Sequence, residues 1–335
     1  FAPGDRVLLR HTNNPEKVYL TQPLAAHKSA ESHHGSIPHT DIIGRGPRDI
    51  LATRRGTEFR LTWPTLDQYV TRVPRIVTPV YPLDAATIAS LLDVHVDGGA
   101  LAEGSAPLEI FEAGTGHGSL TLALARTDKA RRGAVVHSLD ISAKHSAHAR
   151  DVVKGFRRGM YMDDIEFYVG DPSVWIRQQM KERGLEARDG EGEAEGFLYA
   201  VLLDLPGHDD HLAAAAEATL TDGIVGVFCP SITQVAACLK MVKTQRLPLV
   251  LSQVLEFPGG AGTGAGLRSW DVRYARVRSR SDKKLSISEA ENKDDAGAVG
   301  EGEEGRESEY EMVCRPTSFE RVIGGGFFGI FRRKA

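Results

Sequence analysis

"LEIFEAGTGHGSLTLALAR", Leu108 to Arg126, decides the fold. Its first half is an apolar run of strand length, and its second half reads as a helix. Between them Gly114, Gly116 and Gly118 let the backbone turn tightly and approach a ligand closely. The helix beyond presents unpaired N–H groups and a partial positive charge. A lone glycine motif says little, but one placed between a strand and a helix points to a nucleotide or nucleoside.

The spacing narrows the ligand. A dinucleotide loop has the form GxGxxG; this loop is GxGxG, and Ser119 stands where a third glycine would be. Position therefore favours S-adenosylmethionine, whose carboxylate suits the same N–H groups. Gly114, Thr115, Gly116, Gly118, Ser119 and Leu120 are the candidate contacts. The next strand ends in "HSLD", with Asp140 at its tip to accept two ribose hydroxyls, and His145 lies just beyond. A third strand ends in "VGD", which puts Asp171 where it could bind an adenine amino group. Strands often end in Asp because Asp forms turns. Two acids on successive strand tips beside a glycine loop make a nucleoside site the better reading. His117, between two glycines, reads as a surface side chain.

Outward from this stretch the pattern alternates. Strands are expected at "AVVHSLD", "IEFYVGD", "FLYAVLLDLP", "GIVGVFCP" and "LVLSQVLEF". Helices are expected at "SAKHSAHARDVVKGF", "PSVWIRQQMKERG", "HLAAAAEATL" and "SITQVAACLKMVKTQ". This is an α/β chain with a mostly parallel sheet covered on both faces. "SWDVRYARVRS" and "GGGFFGIFRRK" read as two more strands flanking an acidic insert, residues 281–309, whose composition suits a disordered loop. That layout suggests a terminal hairpin added antiparallel to the sheet. The apolar "GGGFFGIF" and "LVLSQVLEF" fit either core strands or an interface, and core strands are the commoner fate.

Before the glycine loop, residues 1–62 hold short apolar patches between Gly, Pro, His and Asn clusters and read as a small β-rich domain. Residues 63–335 form the second domain. "PTLDQYV" opens a helix with Thr65 as N-cap, and "YPLDAATIASLLDV" gives another. His33, His34 and His39 lie together, but with no Cys or carboxylate at ligand spacing except Asp41 they read as polar loop residues, not a metal site.

Composition adds limits. The chain has 335 residues and a net charge of −4. Ten acids and four bases fall in residues 281–309, and six acids and three bases in 181–196; without these segments the rest is basic by 5. That permits an RNA partner. Three cysteines, with no CxxC, fit a reducing compartment. No apolar run approaches the roughly 20 residues that span a bilayer, so no membrane partner is expected.

In sum these motifs resemble the tRNA (adenine-58-N1)-methyltransferase family, catalytic-subunit type. "EAGTGHGSLTLALAR" is similar to that family's EAGTGSGxLT loop, and "TPVYPLDAATI" to its YPKDA segment. "LLDLP" resembles its LDLPxPW motif, "PSITQV" its PxxxQV motif, and "VLEF…RSWDVR" its VLE…WxVR ending. The resemblance covers most of the chain in one order. It implies a Rossmann-like, S-adenosylmethionine-dependent methyltransferase acting at N1 of the T-loop adenine of tRNA. Asp204 matches the catalytic aspartate and Tyr81 the tyrosine beside the active site; Asp140 and Asp171 match the cofactor acids. It also implies a tetramer, of one chain or with a non-catalytic paralogue.

The chain departs from the family in places. After Pro206 the family's second proline and tryptophan give way to "GHDDH"; the YPKDA lysine is Leu83; the HTGF-like ending is "GGGFF"; GTGSG is GTGHG. A non-catalytic RNA-binding or scaffold relative is the alternative reading, and a nicotinamide dehydrogenase a weaker third. The start at Phe1, the bacterial-type N-terminal pattern and the acidic inserts lead to an expectation of a mitochondrial enzyme, with cytosol or nucleus as alternatives.

Overall fold

The computed structural model describes residues 1–94, 107–127, 133–185, 196–257, 270–276, 310–316 and 325–335. The chain divides into two compact units, residues 1–260 with 323–335, and residues 261–322.

The first unit opens with six short strands: β1 (Leu8–His11), β2 (Val18–Leu20), β3 (Ser29–Ser32), β4 (Gly35–Pro38), β5 (Ile50–Ala52) and β6 (Glu58–Thr62). Four of them form an antiparallel sheet in the order β2-β1-β6-β5, while β3 and β4 make a hairpin. Leu9, Ile37, Ile42, Phe59 and Leu61 are the heart of a small core. Ile42 and His39 belong to a one-turn helix, α1 (His39–Ile42). His39 is not a loop residue as expected; it is fully buried, and its Nδ1 accepts from the Ala25 N–H at 3.0 Å. Asp5, also buried, binds Arg158 through both carboxylate oxygens at 2.8 Å, which ties this region to the larger sheet.

Helix α2 (Leu66–Val70) begins at Thr65 with a capping box completed by Gln68. Helix α3 (Pro82–Leu91) follows, with Pro82 at its first position. Then strands and helices alternate: β7 (Leu108–Ala113), α4 (Ser119–Ala125), β8 (Ala134–Asp140), α5 (Ala143–Gly155), β9 (Ile165–Val169), α6 (Pro172–Arg183), β10 (Leu198–Leu203), α7 (Leu212–Ala218), β11 (Thr219–Cys229), α8 (Ile232–Thr244) and β12 (Leu249–Phe257). Strand β11 starts earlier than expected. Thr219 and Leu220, read as the end of a helix, already belong to it, because β10 offers Leu198 as a parallel partner for Thr219.

Among the described residues the expected terminal hairpin is replaced by another pairing: strand β13 (Trp270–Arg276) pairs with β14 (Tyr310–Pro316), a strand the sequence did not suggest, and the two make the antiparallel ribbon of the second unit. Strand β15 (Gly326–Arg333) enters the main sheet alone, antiparallel to both β11 and β12. The seven-stranded order is β12-β15-β11-β10-β7-β8-β9. Residues 281–309 lie outside the described residues.

Alternation along the strands builds two cores. Ile110, Val136, Leu202 and Phe328 face α3, α4 and α5 on one side. Phe111, Leu139, Val201 and Phe331 face α6, α7 and α8 on the other. Strand β15 is thus a core strand, whereas β12 is an edge strand with Val250 half exposed. The chain leaves β7 toward β8 and returns on its other side with β10. This reversal opens a crevice at the carboxyl ends of β7 and β10, where open α/β sheets bind ligands.

Candidate active site

The glycine loop and Asp204 meet at that crevice. Gly114 has φ +100°, and a Cβ there would collide with the Asp204 carbonyl oxygen. The Asp204 N–H in turn donates to the Ala113 carbonyl at 2.9 Å. Only glycine lets the two strand tips come this close. Gly118, at φ +79°, brings the loop against Ala149 of α5, 3.2 Å from where a Cβ would sit.

The loop rests on a buried polar bed. Glu112 is fully buried on β7, and its Oε2 accepts from the Thr121 and Ser138 hydroxyls, both at 2.6 Å. Its Oε1 has no hydrogen-bond partner among the described residues, and burial pushes its carboxyl up to about 8. Thr115 shares a hydrogen bond with Ser138 at 2.8 Å. Sequence reasoning missed Glu112, although a charged residue in a doubly covered strand is a legible signal.

The other predicted residues fall into place unevenly. The Asp140 carboxylate is buried; its Oδ2 accepts from the Gly116 N–H at 2.9 Å and its Oδ1 from the Ser142 N–H at 2.8 Å, with His145 Nδ1 at 3.6 Å. Each oxygen can still accept a second bond. Asp171 is exposed and caps α6, accepting from Val174 at 3.0 Å. Ser119 donates its hydroxyl to the Val80 carbonyl at 2.7 Å, and Leu120 is buried in the core. Both can meet a ligand only through backbone N–H groups at the start of α4. His117 corrects the sequence reading. It is 2% exposed, its Nδ1 lies 3.1 Å from His148 Nε2, and burial pushes it down to about 4.

A cavity of about 430 Å³ adjoins the crevice. It is lined by residues 78–80, Tyr81, Asp84, Asp204, Phe228 and Gly325, so it unites both predicted catalytic residues. Tyr81 is the N-cap residue of α3, and its hydroxyl accepts from Arg75 at 3.3 Å. Loss of solvent pushes the Asp204 carboxyl up to about 7. Among the described residues no Lys or Arg lines this cavity. A larger space of about 470 Å³, between α2, α3 and α4, is lined mainly by Leu66, Val70, Leu83 and small residues and brings no acid pair together.

The "GHDDH" segment does not border the cavity. Gly207, at φ +72°, starts a 3-10 turn over His208–His211. His208 turns inward, with Nδ1 3.1 Å from the Leu205 carbonyl and Nε2 3.3 Å from Cys229 Sγ. His211 meets the Ser173 hydroxyl at 2.7 Å. Among the described residues no group of His, Cys, Asp and Glu could hold a metal ion.

A parallel-rich sheet, a glycine loop after its first strand and an acid after its second define a Rossmann-like fold of the S-adenosylmethionine-dependent methyltransferase class. Two solved structures share the fold across the whole chain. An S-adenosylmethionine-dependent O-methyltransferase from Thermotoga maritima has a TM-score of 0.64 at 20% identity, with 95% of its chain covered. The tRNA (m1A58) methyltransferase TrmI from Aquifex aeolicus has a TM-score of 0.59 at 16% identity, with 99% covered. Residues 63–294 match the family described as tRNA methyltransferase complex GCD14 subunit. The tRNA (adenine(58)-N(1))-methyltransferase TrmI of Thermus thermophilus is 32% identical over 248 residues, 74% of this chain and 81% of the relative. The chain belongs to the tRNA (adenine-58-N1)-methyltransferase family.

Proposed function

We propose that this chain transfers the methyl group of S-adenosylmethionine to N1 of adenine 58 in the T-loop of tRNA. The observation that carries this is the cavity at the tips of β7 and β10, where Asp204 faces Tyr81 with the glycine loop packed against Asp204 itself.

The residues around the crevice suit the cofactor. Asp140 offers a buried carboxylate with lone pairs to spare for the ribose, Asp171 lies beyond the next strand tip for the adenine, and His145 flanks Asp140. The N–H groups of Ser119 and Leu120 in the first turn of α4 suit the carboxylate, whereas those of Gly114, Thr115, Gly116 and Gly118 are donated to Leu139, Asp140 and Thr115 and shape the loop. When bound, S-adenosylmethionine supplies an electrophilic methyl group, whose bond to sulfur breaks as its bond to N1 forms, the electron pair staying on sulfur.

N1 already has a lone pair, so no strong base is needed before attack. Asp204 accepts a hydrogen bond from the N6 amino group, holds the ring and shifts electron density toward N1. As positive charge moves from sulfur to the ring, the carboxylate stabilises it and can take the N6 proton. A cavity whose described lining holds acids and no Lys or Arg is electrostatically matched to that cationic ring. Tyr81, fixed by Arg75, walls the base pocket. The base must leave the tRNA elbow to enter it.

The retained loop and acids support activity over a scaffold role. The test is methylation of total RNA, with the modified nucleotide mapped by reverse-transcription arrest. An arrest at tRNA position 58 that disappears on deleting the protein is the expected result. Failure to bind S-adenosylmethionine at millimolar concentration would point instead to the scaffold. Assembly as a tetramer, alone or with a paralogue, and a mitochondrial location complete the proposal. Sedimentation and localisation of the tagged chain test them.

A further inference from the structure

His211 closes the "GHDDH" turn at the start of α7, outside the base cavity. Its Nδ1 lies 2.7 Å from the hydroxyl of Ser173, which is 8% exposed and sits in the first turn of α6. Hydroxyl and ring nitrogen can each donate or accept, so the bond forms with either tautomer of the imidazole. Asp171, the acid expected to meet the adenine amino group of the cofactor, stands two residues before Ser173. The bond therefore joins the loop after β9 to the loop after β10, which also carries Asp204.

The loop after β9 depends on such a tie. Strand β9 ends the sheet order, so among the described strands β8 alone flanks it. On that side the Gly170 N–H donates to the Asp140 carbonyl at 3.1 Å. Asp171 is exposed; its Oδ1 accepts from Val174 of its own helix, which leaves Oδ2 for a ligand. On the other side the anchor is Ser173 on His211. His211 is itself held in place. Gly207, at φ +72°, sets the turn, the Asp210 N–H donates to the Gly207 carbonyl at 3.0 Å, and His208 is buried against Leu205 and Cys229. Asp171 thus stands between two anchors, one on the tip of β8 and one on the turn after β10.

We infer that His211 is a positioning residue for the cofactor: through Ser173 it fixes the Asp171 carboxylate within reach of the adenine amino group of S-adenosylmethionine. This rests on the S-adenosylmethionine reading of the crevice. The turn that departs from the family's motif then serves the cofactor and not the target base. A carboxylate on an exposed edge loop loses conformational freedom when it binds, and an anchor set beforehand removes part of that cost. The signature lies in cofactor affinity. Affinity for RNA and the rate at saturating cofactor stay as they are, because the Asp204 backbone is held by Ala113 and the Tyr81 hydroxyl by Arg75.

The experiment pairs variants with a modified cofactor. Full-length wild type, His211→Ala, His211→Asn, Ser173→Ala and the double Ala variant are titrated calorimetrically with S-adenosylhomocysteine and with its analogue lacking the 6-amino group. The same proteins are assayed for methylation of T-loop RNA, and thermal melting checks that each is folded. His211→Ala and Ser173→Ala are each expected to weaken S-adenosylhomocysteine binding, and to raise KM for S-adenosylmethionine, roughly threefold to tenfold. The double variant is expected to be no worse than either. His211→Asn, whose amide places a polar atom near the position of Nδ1, is expected to stay close to wild type. The analogue without the amino group is expected to bind wild type and His211→Ala alike. Cofactor affinity unchanged in the Ala variants, losses that multiply in the double variant, an Asn variant as weak as the Ala variant, or an equal loss on the analogue would overturn the inference alone. Failure of the wild-type chain to bind S-adenosylhomocysteine or S-adenosylmethionine would overturn the cofactor reading and this inference with it.

Discussion

Replacing Asp204 by Asn should make the protein more stable and nearly inactive. The carboxyl titrates near 7, against 3.8 in the unfolded chain, with desolvation as the cause. Below about pH 4 both states are protonated and Asp204 carries no penalty. As pH rises the unfolded chain ionises first, so the folded state loses stability, and the loss is complete above pH 7. At about 1.4 kcal/mol per pH unit, the full effect is about 4 kcal/mol, an upper bound because Asp204 is partly exposed. Asn cannot ionise, and no side-chain hydrogen bond of Asp204 is seen among the described residues. The variant should gain on the order of 2–4 kcal/mol at pH 8 and almost nothing at pH 4. Its methylation rate should fall by about a hundredfold to a thousandfold, as when one preorganised charge-stabilising group is removed. Urea unfolding of both proteins at pH 4, 6 and 8 measures the first effect. A stability difference that does not grow with pH would refute the assignment of Asp204 as a desolvated carboxyl. This is a trade of stability for activity at one residue.

Other perturbations separate the parts of the site. Gly114→Ala should abolish S-adenosylmethionine binding in calorimetry and lower the melting temperature, because its Cβ would strike the Asp204 carbonyl. Glu112→Gln should match wild type near pH 4 and become the more stable as pH rises above the ordinary 4.5, with the difference levelling off above about 8, since the unfolded carboxyl ionises long before the buried one. Glu112→Ala, which strands the Thr121 and Ser138 hydroxyls, should cost about 2–4 kcal/mol at pH 7 in the same denaturation assay. His208→Ala should cost about 1–3 kcal/mol through lost contacts with Cys229 and Leu205, yet leave KM for RNA unchanged; a tenfold rise in KM would show that the turn reaches the substrate.

Local pattern carried most of the sheet and helices into view. Apolar periodicity marks β7 to β12 and α4 to α8, and Thr65 marks the start of α2. Pairing between distant segments was not legible. Nothing in "GGGFFGIFRRK" says that it will lie between β11 and β12, because its partners are matched in space and not by a turn. Tyr310–Pro316 escaped notice beside an acidic run that dominates its composition. The site was legible where chemistry and position coincide, as at Asp204, Asp140 and the glycine loop. It was not legible where a side chain's direction decides. His117 looks like a loop residue until α5 supplies His148, 31 residues on, as its buried partner. Asp84 looks like an ordinary helix-start acid until the backbone turns it inward. "GHDDH", where the chain leaves the family's motif, spends its first histidine on the interior.

The position of β15 has a consequence for how the protein comes to exist. It follows every other described strand along the chain, yet it lies inside the sheet, and Gly325 just before it forms part of the base pocket. A nascent chain can build β7 to β11 early, but among the described strands β12 has no neighbour, and the pocket lacks Gly325, until β15 arrives. Catalytic competence is therefore withheld until β15 has been made. A product truncated before Gly325 would lose two strands from the sheet and could not compete with the intact enzyme for tRNA bases.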